Sequence, residues 1–134
     1  MYKLFCSTLA LLFSTAIFAE QPIQVKVTSL TNGQPVNQLA VVLEAQQNNQ
    51  WVKIGEGQTD AQGRLDTLYP KDKTTLDKGF YKLTFKTGDW FRKNNQRSFY
   101  PEVPLVFIID GSQDHYNIPL QMSPYGYSTY YTNE

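Results

Sequence analysis

Residues 115–134 read HYNIPLQMSPYGYSTYYTNE. The first half alternates. Tyr116, Ile118, Leu120 and Met122 fall on one face of an extended chain, and His115, Asn117, Pro119 and Gln121 on the other. Ser123-Pro124 is a tight break, and Tyr125 to Asn133 is expected as a final strand. Tyr125, Tyr127, Tyr130 and Tyr131 crowd the end of the chain. Chain ends ordinarily fray. Aromatic rings hide large apolar areas, so this terminus is expected to pack.

Upstream the same two-residue period recurs. Ile23–Val27, Leu39–Leu43, Trp51–Thr59 and Phe80–Lys86 are expected strands, with a short apolar piece at Leu65–Leu68. Turn signals separate them: Thr31-Asn-Gly-Gln-Pro35, Asn48-Asn49, Thr59-Asp-Ala-Gln-Gly63 and Gly111-Ser112. Val103–Ile109 is nearly continuously apolar, the pattern of a strand buried on both faces. Tyr69–Lys78 is expected as a surface loop. Asp89–Ser98 is expected to hold one short helix, with Gly88 or Asp89 near its cap. Short strands at regular spacing predict an all-β, two-sheet sandwich without a second domain or internal repeat.

The beginning of the chain has a different character. Lys3 precedes an apolar run from Leu4 to Phe18, and then Ala19. That order predicts a secretory signal peptide over residues 1–19 and a domain over 20–134. Cys6, Ser7, Thr8, Ser14 and Thr15 interrupt the run, which falls short of the roughly 20 apolar residues of a membrane span. The expected location is periplasmic or secreted. The single cysteine leaves with the leader, so the mature domain is expected to stand without disulfides. The whole chain carries 12 Lys and Arg against 12 Asp and Glu. That balance, with no basic stripe, argues against a nucleic-acid partner, and no later run predicts a membrane association.

Chemistry-bearing motifs are few. His115 is the only histidine, and no His/Cys/Asp/Glu cluster has metal-ligand spacing. No phosphate loop and no nucleophile elbow occur. Arg64 follows the Thr59–Gly63 turn. Both a solvated surface arginine and an anion clamp fit that placement, the latter because guanidinium offers a fixed fork of donors.

Several of these segments together resemble one family. Tyr100-Pro-Glu-Val, His115-Tyr116, Ile118-Pro-Leu120 and Ser123-Pro-Tyr-Gly-Tyr-Ser-Thr-Tyr130 are similar to the end of the transthyretin and 5-hydroxyisourate hydrolase family. Val25-Lys-Val27, Asn32-Gly33, Pro35, Thr59-Asp60, Gly63-Arg-Leu65, Tyr81-Lys-Leu83 and Thr87-Gly88 follow the same order and spacing. The resemblance covers essentially the whole chain after the leader. It implies a transthyretin-like sandwich of about eight strands with a short helix. It also implies a homotetramer in which the last strands pair and two dimers enclose a channel. The implied activity is hydrolysis of 5-hydroxyisourate in urate catabolism, without a cofactor or metal. The alternative within the family is transthyretin's own use of the channel, as a non-catalytic carrier of a small ligand.

Carried over position by position, the resemblance implies that Lys26, Arg64 and Asn117 occupy the catalytic places. His115, Ser128, Tyr130 and Tyr131 occupy implied ligand-contact places. The hydrolases have histidines where this chain has Lys26 and Asn117, and an ending Tyr-Arg-Gly-Ser where it has Tyr130-Tyr-Thr-Asn133. The arginine is kept. Asn117 cannot take up a proton, and Lys26 could act as a base only if burial disfavoured its charged form. Loss of a general base typically costs about 10²–10⁴ in rate. Two functions therefore stay open: a hydrolase with an altered site, and a tetrameric binder of a small anionic or planar ligand.

Overall fold

The computed structural model describes residues 21–132. The predicted leader, residues 1–19, and Asn133, the last residue of the predicted final strand, lie outside the described residues. The chain runs β1 (Ile23–Ser29), β2 (Ala40–Gln47), β3 (Gln50–Gln58), β4 (Arg64–Leu65), β5 (Gly79–Phe85), α1 (Thr87–Lys93), β6 (Val103–Ile109), β7 (Tyr116–Ser123) and β8 (Gly126–Thr129). These form two four-stranded sheets, ordered β4-β1-β7-β8 and β3-β2-β5-β6. Every pairing is antiparallel except β1 with β7.

The alternation read in the sequence decides which face of each strand is buried. Val25, Val27 and Leu120 point inward from the first sheet, and Leu43, Leu83 and Phe85 from the second, all at 0% exposure. Burying side chains of this size stabilises by roughly 1.5–3 kcal/mol each. The β2–β3 hairpin closes at Asn48 and Asn49, whose φ values are 51° and 61°. Asparagine tolerates this left-handed region, and a two-residue loop with both φ positive matches the strand twist. The register Gln47↔Gln50 follows from it.

The final strand, expected over Tyr125–Asn133, is confined to Gly126–Thr129, and Tyr125, Tyr127, Tyr130 and Tyr131 are exposed rather than packed within the chain. Three further local expectations needed revision. The helix begins earlier and ends sooner than Asp89–Ser98. It stops because Asn95 adopts φ 57°, which turns the Gln96 N–H onto Phe91 O (2.8 Å) and the Asn95 N–H onto Arg92 O (3.1 Å). This is the paired-bond ending that satisfies a helix's last carbonyls. The Tyr69–Lys78 loop is not wholly superficial. Tyr69 is buried; its hydroxyl donates to Thr75 O (3.0 Å) and accepts from the Asp77 N–H (3.1 Å). Beside it, Tyr81 donates to Asp77 O at 2.6 Å, and burial, before its interactions with Tyr69, pushes the Tyr81 hydroxyl's pKa upward.

The third revision concerns β6. The strand lies at an edge of its sheet and is buried on one face only. Val103 and Ile109 are inside, whereas Val106 and Ile108 are 60% and 57% exposed. Ile108 is the cross-strand partner of Phe80, itself 51% exposed. A continuous apolar run fits a strand covered on both faces. Here the chain's own residues cover one face, and the other is an exposed apolar strip.

Candidate functional site

The site assembles from strand register. Ile23, Val25 and Val27 of β1 point into the core, so Gln24 and Lys26 point out. Gln24 stands beside Asn117 of the parallel neighbour β7, and Lys26 beside Pro119. On its other side Lys26 is the cross-strand partner of Arg64 in β4. Residues from three distant parts of the sequence thus meet on one outer sheet face.

Arg64 owes its place to the turn before it. The Asp60 carboxylate Oδ1 accepts the Gln62 N–H and the Arg64 N–H, both at 2.9 Å. The Gly63 N–H donates to Asp60 O at 2.9 Å, and the Val27 N–H donates to Gly63 O at 2.8 Å. Gly63 has φ 76°, and a Cβ there would lie 2.3 Å from Val27 O. The turn motif therefore needs glycine for both its conformation and its approach to β1. It delivers the guanidinium-bearing residue directly opposite Lys26.

These residues line an open depression of about 470 Å³, whose wall includes Gln24, Lys26, Arg64, Asn117, Tyr130 and Thr132. Thr132 arrives there because the chain, after leaving β8, forms an isolated bridge with Asn117. Lys26 and Arg64 are exposed, and among the described residues no carboxylate pairs with either. Like charges directly opposite each other in a sheet are destabilising. An anion bound between them would offset that repulsion.

The other implied contact residues scatter. Tyr130 lines the depression. Tyr131 lines an adjacent apolar cleft of about 310 Å³ that also includes Tyr130, Val106 and Ile108. Ser128 pairs with Gln121 further along β7, and its hydroxyl donates to Gln121 Oε1 at 3.0 Å. His115 is half-buried just before β7 and is not part of the depression's wall. It follows a turn organised by Asp110, which accepts the Ser112 hydroxyl (2.6 Å) and N–H (2.9 Å). Those bonds, the hydroxyl's first, hold the Asp110 carboxyl below the usual carboxylate range.

Gln24 and Thr132 were not singled out in the sequence. Gln24 was accessible to that reasoning, since it lies two residues before Lys26 in an alternating strand and must share its face. Thr132 was not, because its position depends on a bridge formed after β8 ends.

The wall of the depression contains two cations, two carboxamides and two hydroxyls, with no imidazole and no carboxylate. Such a set can bind an anion, hydrogen-bond a polar ring and stabilise negative charge developing on an oxygen. It offers no group suited to taking a proton near neutrality. Fold and site together define a β-sandwich whose β4-β1-β7 side carries a depression lined by two cations and two carboxamides.

Comparison with known proteins agrees with the sandwich fold. The profile described as the HIUase/Transthyretin family matches residues 23–131. A 5-hydroxyisourate hydrolase of Salmonella typhimurium is 37% identical over 108 residues, covering 81% of this chain and 78% of the relative. A Caenorhabditis elegans protein named as a probable 5-hydroxyisourate hydrolase is 39% identical over the same shares. Among solved structures, transthyretin from Sparus aurata superposes with a TM-score of 0.75 at 25% identity, covering 83% of this chain and 96% of its own. The 5-hydroxyisourate hydrolase of Klebsiella pneumoniae gives 0.72 at 26% identity, covering 84% and 99%. The chain belongs to the HIUase/Transthyretin family.

Proposed function

We propose that the protein binds 5-hydroxyisourate at the Lys26–Arg64–Asn117 face and opens its ring by hydrolysis. The observation that carries this reading is the cross-strand Lys26–Arg64 pair beside Asn117 in one depression. In the reaction, water attacks a ring carbonyl, a C–O bond forms, and negative charge gathers on the carbonyl oxygen. The ring C–N bond then breaks, and the ring nitrogen takes up a proton as water gives one to solvent. Arg64 and Lys26 stabilise the oxyanion, the kind of contribution that carries most of the weight in acyl transfer. Asn117 orients the ring by hydrogen bonding. Without an imidazole the proton transfers rely on solvent, so catalysis is slow relative to a site that has a general base.

The test is direct. Freshly made 5-hydroxyisourate is mixed with the purified domain, and its decay is followed against the spontaneous rate. Acceleration at micromolar protein is expected. Arg64→Ala should lower it by about 10- to 100-fold, less than a complete oxyanion site would lose because Lys26 remains. No acceleration by the native chain would overturn the hydrolytic reading. An Arg64→Ala variant as fast as the native chain would show that the chemistry lies elsewhere.

A second reading has its own motivating observation: no imidazole stands in the wall of the depression. On that reading the protein is a non-catalytic binder of a small anionic ring. It predicts saturable binding of urate with no effect on 5-hydroxyisourate decay.

Assembly as a homotetramer, with the depression facing a central channel, belongs to the same proposal. Supporting it are the β6 and β8 edges and the exposed Val106, Ile108, Tyr130 and Tyr131. Exposed apolar area of this kind is characteristic of association surfaces. Export through the 1–19 leader is also proposed, on the residue order described above. Native mass spectrometry of protein recovered from the exported fraction tests both. A four-copy mass that begins near residue 20 is expected; a monomer would leave no channel, and retention of residues 1–19 would remove the leader.

A further inference from the structure

Gln24 is a long polar side chain of the depression to which the hydrolytic reading gives no role. It lies on the outward face of β1, half-buried, as the direct partner of Asn117 across the parallel β1–β7 ladder. Among the described residues no hydrogen bond occupies its carboxamide. Two carboxamide-bearing residues therefore stand on neighbouring strands, their backbones one strand spacing of about 4.8 Å apart. Lys26 and Arg64 form the next cross-strand pair along β1, two residues further on. Two residues of strand rise span about 6.6 Å, comparable to the long dimension of a fused two-ring heterocycle.

The face is thus divided. One end is cationic and can hold a delocalised anion. The other end is neutral and offers carbonyl acceptors and NH₂ donors. A primary amide presents one acceptor and one donor in a single plane. That is the complement of a ring edge on which N–H and C=O alternate, the same logic by which Asn and Gln read the edge of a base. A carboxylate or a simple aromatic acid has no such edge and can use only the cationic end.

We infer that Gln24, together with Asn117, reads the ureide edge of the bound ring and makes Gln24 a specificity-determining residue of this site. This rests on the ligand class proposed above but not on the hydrolytic step. A site built to hydrogen-bond a polar edge rejects ligands lacking it, because the Gln24 carboxamide then loses its partner. Gln24 consequently acts on which anion is accepted, and the Lys26–Arg64 pair acts on whether an anion is accepted at all.

Isothermal titration calorimetry with two stable probes separates these roles. Urate carries the ring edge; benzoate is an aromatic anion without it. Gln24→Leu should weaken urate by about ten- to a hundredfold, about 1.4–2.7 kcal/mol and within the range for one lost polar pairing, and leave benzoate within about twofold. Gln24→Asn keeps the amide on a shorter stem and should fall between Gln24→Leu and the native chain. Arg64→Ala should weaken both probes. Unchanged urate binding in Gln24→Leu overturns the inference, and so does an equal loss for urate and benzoate with folding intact by circular dichroism. If the native chain binds no urate, the inference and the ligand class fall together. If urate binds in a Gln24-dependent way while 5-hydroxyisourate decays at its spontaneous rate, only the hydrolytic step is lost and the ring reading stands.

Discussion

A variant carrying Lys26→His and Asn117→His together is expected to open 5-hydroxyisourate about 10²–10⁴ times faster than the native chain, the range a positioned general base supplies. The geometry is the reason to expect a gain from both positions at once. Position 26 lies opposite Arg64 on one side and beside β7 on the other, while position 117 lies across from Gln24 on the same outer face. An imidazole at either place borders the depression and has Arg64 within the same wall. Histidine's ordinary pKa of about 6.5 makes it a competent proton acceptor at pH 7. The gain should disappear below about pH 6, where imidazole is protonated and can no longer act as a base. Stopped-flow decay of the substrate between pH 5.5 and pH 8 reads both effects, those limits bracketing the imidazole titration. A double variant no faster than the native chain would mean that this face is not where the ring is opened.

Gly63→Ala is expected to cost about 2–5 kcal/mol, as the sum of two independent penalties. Holding an L-residue in the left-handed region costs roughly 1–2 kcal/mol, and Gly63 has φ 76°. Forcing atoms into occupied space costs a further 1–3 kcal/mol or so, and the new Cβ would stand 2.3 Å from Val27 O and 3.3 Å from Val36 N. Both neighbours are backbone, so neither can swing away. Gly33→Ala is the matched control: its φ is 71°, but nothing lies within 4 Å of the added carbon. It should show the conformational penalty alone. Urea midpoints at constant slope separate the two variants. Against a typical domain stability of about 5–15 kcal/mol, the Gly63 loss is large. It also falls on the site, because the displaced turn is what holds Arg64 opposite Lys26. Ligand binding should therefore weaken even where the variant remains folded. Equal midpoints for the two variants would show that the close approach to Val27 is not restrictive.

Much of this architecture is visible in the alternation of residues such as Ile23, Val25 and Val27, or Tyr116, Leu120 and Met122. Burying one face of a strand requires apolar residues at every second place, and that requirement is local. The Asn48-Asn49 hairpin and the Thr59–Gly63 turn are legible for the same reason, since φ-tolerant residues mark where the chain reverses. The end of the helix is less so. Asn94-Asn95 carries the stop, but one of two adjacent asparagines adopts the left-handed state, and the bonds from Asn95 and Gln96 back to Arg92 and Phe91 select it. The exposed face of β6 could not be recognised from Val103–Ile109 alone. An apolar side chain reports that burial is favourable, not whether the protein's own chain supplies the cover.

The residue types on this face, a lysine at 26, an arginine at 64 and an asparagine at 117, were determined by the sequence itself. So were the sandwich class and the family to which the chain belongs. The tertiary structure alone decided that β1 runs parallel to β7 while pairing antiparallel with β4, which puts Lys26, Arg64 and Asn117 on one face with Gln24. It also decided that Thr132 returns to that face and that His115 lies outside the depression's wall. The physical reason is that strand pairing is a long-range choice. It is set by how the two sheets share a core, and residues many positions apart become neighbours only once that core has formed.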